Sequence, residues 1–154
     1  MPFVLTSPDF EEGGAIPRRF TCEGEDLMPA FAWNEPPPGT RSFALLVEDP
    51  DDHDLARPWV HWIVYNLPDS ARALPRGGPL PAGAREGLND WKQPGYRGPC
   101  PPRGYHTYVH RLFALDTPLP EGAPLDRPAL LALLEGHVLA EARLRAGYQK
   151  ERAG

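Results

Sequence analysis

Apolar residues along this chain come in short runs separated by turn-forming residues. Ser42–Glu48 (SFALLVE) is closed on one side by the turn Pro36-Pro37-Pro38-Gly39 and on the other by Asp49-Pro50. A short continuous apolar run between turn signals reads as a strand buried on both faces. Residues 59–66, WVHWIVYN, are aromatic and β-branched and predict a second central strand. Strict alternation puts Trp59, His61, Ile63 and Tyr65 on one face and Val60, Trp62 and Val64 on the other. A third long strand is predicted over Tyr108–Leu115, and short ones around Phe3–Leu5, Arg19–Cys22 and Pro29–Trp33. Asp126-Arg127-Pro128 followed by ALLALLEG predicts a helix, with Asp126 as cap, Pro128 in the first turn and Gly136 as stop. From Val138 to Tyr148, apolar residues alternate with Glu141, Arg143 and Arg145. A helix can be drawn there, but the period of two is cleaner and predicts a strand. Residues 67–105 carry few apolar runs, and a loop of that length without regular structure is usually functional in a compact domain.

Composition explains why the elements are short. The chain has 154 residues, enough for one domain over 1–154, and 21 of them are proline. Proline lacks a backbone donor and stays out of helix interiors and central strands, so it acts here as punctuation. A net charge of −5 argues against a nucleic-acid partner, which needs a basic face. The first residues show no basic segment followed by an apolar one, and no apolar stretch approaches the ~20 residues that span a bilayer. A cytoplasmic protein is expected. Cys22 and Cys100 leave two readings open: free thiols, the usual cytosolic state, or a disulfide closing a long loop.

Four features could carry chemistry. Asp49-Pro50-Asp51-Asp52-His53 follows a buried strand, where a carboxylate sits at a rigid rim. The bland alternative is a polar turn. His61 lies between tryptophans and needs a partner for each ring nitrogen. Asp49 or Asp51 could orient it, and otherwise it is a satisfied core residue. In His106-Thr107-Tyr108-Val109-His110, alternation puts two imidazoles and a phenol on one strand face, donors suited to phosphate or carboxylate. Gly95–Gly104 cannot be helix or central strand, and its prolines stiffen a loop whose glycines admit close backbone approach. A metal site from His61, His106, His110 and Asp49 lacks tight ligand spacing. A Cys100–His106 nucleophile pair lacks a visible base geometry. No dinucleotide, phosphate-loop, nucleophile-elbow or zincin motif is present.

Together these segments resemble the phosphatidylethanolamine-binding protein family and its bacterial and archaeal Raf kinase inhibitor-like branch. Asp49-Pro50-Asp51 with Trp59-Val60-His61-Trp62 resembles one family block. Gly98-Pro99-Cys100-Pro101-Pro102-Arg103-Gly104 with His106-Thr107-Tyr108 resembles another. Phe20–Asp26, Gly39–Ser42 and Gly136–Ala140 extend the likeness over nearly the whole chain. The resemblance implies a mostly β sandwich with a large central antiparallel sheet and short peripheral helices. It implies a non-catalytic, cofactor-free site for phosphate, a phosphoethanolamine-like head group or acetate, formed by Asp49, Asp51, His61, Gly98, Pro99, Pro101, His106 and Tyr108. In that site Asp49 orients His61. It also implies a homodimer, and a regulator of a kinase or serine protease as the competing function, with Trp91, Tyr96 and Arg97 as contact surface. The chain departs from the family pattern at Asp26, Met28, Asp52-His53, Thr107 and His110.

Overall fold

The structure is a computed structural model and describes residues 2–51, 57–122 and 125–150; Asp52-His53 lies outside the described residues. Three long strands dominate it: β4 (Ser42–Asp49), β5 (Trp59–Pro68) and β8 (His106–Leu115), joined by β9 (Val138–Tyr148). Short strands accompany them: β1 (Leu5–Thr6), β2 (Gly14–Ala15), β3 (Phe31–Trp33), β6 (Ala73–Leu74) and β7 (Arg85–Glu86). The larger sheet has the order β2-β9-β8-β4-β5-β7, and a small sheet has the order β1-β3-β6. All pairs are antiparallel except β2 with β9, which is parallel, so the large sheet is mixed at one edge.

Both faces of the large sheet are covered, which is why β4 reads as an unbroken apolar run. On one face Phe43, Leu45 and Val47 pack with Phe31, Trp33 and Leu74 of the small sheet. On the other, Ala44, Leu46, Ile63 and Phe113 pack under helix α1 (Arg127–Leu134) through Leu130 and Leu134. The Asp126 side chain caps α1 by accepting a 3.0 Å hydrogen bond from Ala129 N, as its composition predicts. The segment predicted as a strand around Arg19–Cys22 instead begins with a 3-10 turn at Arg18–Phe20.

Two expectations change. The segment 67–105 is ordered: β5 runs on to Pro68, β6 and β7 lie within the segment, and Leu88 bridges Pro94. Asn89 fastens one of its turns, accepting from Trp91 N and Gln93 N and donating to Gly95 O. The strict alternation of β5 also fails. The pairing of β4 with β5 slips between Val47↔Trp62 and Glu48↔Val60, leaving His61 as an extra residue in a β-bulge. Val60 therefore shares the helix-side core with Ile63 and Tyr65, while Trp62 and Val64 face the small sheet. His61 is turned to that second side, against Tyr108, with ring centroids 5.2 Å apart.

Candidate functional site

Three adjacent strands of the large sheet bring polar side chains to the same end. β4 finishes at Asp49, β5 starts at Trp59 and β8 starts at His106. They wall a cavity of about 60 Å³. Asp49, Trp59, His61, His106 and Tyr108 line it from the sheet, and Trp91, Cys100, Pro101 and Pro102 from the long loop. A water molecule's share of liquid is about 30 Å³, so the space suits an ion of a few heavy atoms. It is far below the 300 Å³ or so at which pockets for drug-sized ligands begin.

Both histidines have one ring nitrogen committed. His106 Nδ1 lies 2.6 Å from Asp49 Oδ2, with both side chains buried. Asp49 Oδ1 accepts from Asp51 N at 2.8 Å. His61 Nδ1 lies 2.7 Å from the Arg97 carbonyl. A carbonyl only accepts, so Nδ1 of His61 carries the proton and Nε2 is left for other partners. Burial pushes the His61 pKa below its ordinary value; the Arg97 carbonyl and the Asp49 charge oppose this without cancelling it. His61 is thus neutral at pH 7.

Asp49 therefore orients His106, whereas the expectation was that it orients His61. β8 runs antiparallel beside β4 and brings its first residues to the end of β4, while the loop's Arg97 carbonyl has taken His61. Asp51 does not line the cavity: its Oδ2 accepts from Thr107 N at 2.8 Å and ties the end of β4 to β8. Gly98 and Pro99 stand behind the wall. Gly98 N donates to Asp26 Oδ1 at 2.8 Å, and the Pro99 carbonyl accepts from Cys22 N at 3.2 Å. A Cβ on Gly98 would lie 2.0 Å from the Phe20 carbonyl oxygen, so only glycine fits. His110 shares the strand face of His106 and Tyr108 but lies deeper, between Phe10 and Phe31, with Nδ1 2.9 Å from the Leu144 carbonyl. Burial lowers its pKa to about 4, making it a neutral core residue rather than a pocket donor. Among the described residues no cluster of His, Cys, Asp or Glu is arranged to hold a metal.

Sequence reasoning missed Trp91 as a wall residue. Its ring meets His61 edge-on at 5.2 Å and Trp59 at 5.4 Å, and Arg97 stacks over it at 4.7 Å. Tyr96 packs on Trp62 and donates its hydroxyl to the Phe20 carbonyl at 2.6 Å. Of the expected contact surface, Trp91 and Tyr96 are half-buried and Arg97 is exposed. Cys22 and Cys100 are joined in a disulfide, with Cα atoms 5.5 Å apart. Among the described residues no helix is long and apolar enough to cross a membrane.

Fold and cavity define a class: a two-sheet β protein with a small cavity, lined by imidazole, carboxylate and aromatic side chains, where three strands of the larger sheet end. Within it, a profile of the family described as phosphatidylethanolamine-binding protein matches residues 6–149, and the chain belongs to that family. A UPF0098 protein of Methanothermobacter thermautotrophicus is 41% identical over 150 residues, covering 95% of this chain and 98% of its own. The crystal structure of the PEBP homologue CT736 of Chlamydia trachomatis superposes with a TM-score of 0.91 at 35% identity, covering 97% of this chain and 99% of its own. YbcL of Escherichia coli, described as a member of the mammalian PEBP family, gives 0.91 at 31% identity, covering 98% and 100%.

Proposed function

We propose that this protein binds a small oxyanion, such as phosphate, a phosphorylated head group or a carboxylate, in the His61–His106 cavity, and acts as a non-catalytic cytoplasmic regulator. The observation that carries the reading is a pair of buried imidazoles, each with Nδ1 committed to a protein acceptor, lining one cavity of about 60 Å³. Such fixing leaves each Nε2 to a ligand. Among the described residues no lysine or arginine lines the cavity. A bare anion beside Asp49 therefore needs a proton, either on the ligand or taken up by an imidazole. Charge-assisted hydrogen bonds then contribute about 1.5–3 kcal/mol each. Because burial keeps His61 neutral in the free protein, proton uptake on binding strengthens the complex as pH falls.

Calorimetric titration with phosphate and phosphoethanolamine, in buffers of different ionisation enthalpy, tests this. The expected result is weak binding with net proton uptake that grows as pH falls. Absence of heat across that range overturns the reading. The homodimer implied by the family resemblance is part of the same proposal, and sedimentation equilibrium showing only monomer would remove it. An inhibitor of a kinase or serine protease is the competing reading. Part of the surface it needs is engaged inside the fold, with Trp91 against His61 and Tyr96 bonded to the Phe20 carbonyl, while Arg97 stays exposed.

A further inference from the structure

We propose, resting on the anion-binding reading, that the Cys22–Cys100 disulfide is a redox latch on the cavity. Cys100 lines the cavity together with Pro101 and Pro102, while Cys22, its partner 78 residues away, is exposed. The loop before this wall is held without the disulfide. Tyr96 is hydrogen-bonded to the Phe20 carbonyl, Arg97 N donates to the His61 carbonyl, Gly98 N to Asp26, and the Pro99 carbonyl accepts from Cys22 N. From Cys100 to Gly104 no hydrogen bond joins the chain to any other described residue, and ladder pairing resumes only at His106. Pro101 and Pro102 have no N–H to donate. The disulfide is therefore the one polar or covalent tie among the described residues that holds this wall against Asp49, His61 and His106.

Cys22 is the more exposed of the two cysteines, so attack is assigned to its side of the bond. A dithiol reductant attacks Cys22 Sγ through one thiolate and forms a mixed disulfide, and Cys100 leaves as a thiolate that takes a proton. The second thiol of the reductant then displaces Cys22, so two electrons and two protons pass to the protein and the dithiol is oxidised. The product has a free thiol in the cavity wall and a wall that must be ordered anew on each binding event. Oxidation restores the pre-ordered, tight-binding state.

The full chain carries its own reporter. Arg103 is exposed within the wall, and the Arg103–Gly104 bond is a trypsin site; Arg97–Gly98, behind the wall, is the internal control. Inorganic phosphate is titrated into the oxidised protein, the protein reduced with dithiothreitol, and Cys22→Ser. Reduction and Cys22→Ser are both expected to weaken phosphate binding about tenfold, the effect of releasing a few ordered residues. They also accelerate cleavage after Arg103 about tenfold while Arg97–Gly98 stays intact, since cleavage follows the open population. Reoxidation of the reduced protein reverses both changes. Equal phosphate affinity and equal Arg103 cleavage in the two redox states overturn the latch. Loss of the native circular dichroism spectrum in Cys22→Ser also overturns it, because the wall would then not move apart from the fold. If the oxidised protein binds neither phosphate nor phosphoethanolamine, the anion-binding reading fails, and the latch is decided by Arg103 cleavage alone.

Discussion

His61, His106 and His110 are 3%, 5% and 2% exposed, and they differ in what accepts the Nδ1 proton. His106 faces a carboxylate, His61 and His110 a backbone carbonyl. For His61 and His110, desolvation outweighs the support that a backbone carbonyl lends a positive ring. For His110 this has a thermodynamic consequence. Its folded pKa of about 4 lies below the unfolded value near 6.5, so between these values the unfolded chain holds more protons. Stability is fully present above pH 6.5 and falls as pH drops towards 4, by on the order of 2–3 kcal/mol from this group. Denaturant unfolding of the wild type and His110→Phe at pH 7.5 and 4.5 checks it, with a smaller pH difference expected in the variant. Tyr108, whose ring stands 5.2 Å from His61 and 6.4 Å from His106, bears on binding instead. Tyr108→Phe is expected to weaken phosphate about fivefold, the effect of one neutral hydrogen bond, with little loss of stability. Titration calorimetry reads the first and thermal unfolding the second. Period-two alternation placed His110 correctly on the face of His106 and Tyr108. It carries no information on depth, and depth separates a cavity wall from a core.

Among the elements, the bulge at His61 decides what the site contains. Without the extra residue, His61 would lie with Ile63 and Tyr65 under the helix, away from Tyr108. The long strands and α1 were legible because their apolar periods and caps are local properties of the chain. The bulge was not, since it is a relation between β5 and β4. β6 and β7, two residues each, leave no periodic trace. The cavity's polar residues were legible in the two motif blocks. Trp91 was not, because it reaches the cavity through the fold of an irregular loop. That loop depends on Gly98, whose Cβ position lies 2.0 Å from the Phe20 carbonyl and 2.6 Å from Asp26 Oδ1. Both neighbours are anchored: Asp26 by its bond to Gly98 N and the Phe20 carbonyl by Tyr96. Gly98→Ala must therefore push the loop outward. The expected cost is about 1–3 kcal/mol, as for other overpacked sites. It should come with a loss of phosphate affinity larger than that of Tyr108→Phe. Chemical unfolding and calorimetry on the same sample measure the two, and unchanged affinity would detach the loop from the site.

For the whole molecule, the two faces of the large sheet divide the work. The cavity lies on the side of the small sheet, and α1 covers the other. Asp49 and Glu48 are neighbours at the end of β4 yet serve opposite faces, because successive side chains of a strand point to opposite sides. Asp49 holds His106, while Glu48 receives Arg111 at 3.1 Å through one oxygen and Arg127 of α1 at 3.1 Å through the other. Arg111 also bonds Glu141 at 3.0 Å, so the helix, β4, β8 and β9 share one ionic network. The Glu48 side chain is 4% exposed, against 17% and 19% for its arginines. Glu48→Gln leaves two guanidinium groups partly buried with a neutral amide between them. Breaking a fully buried pair costs about 3–5 kcal/mol, and partial access of both arginines to water brings the expectation to about 2–3 kcal/mol. Because the network faces away from the cavity, phosphate affinity should stay within about twofold of the wild type as long as the variant is folded. Urea unfolding with parallel phosphate titration separates the two effects. A variant that loses stability and affinity together would mean that α1 and the cavity are coupled through β4, against the division argued here.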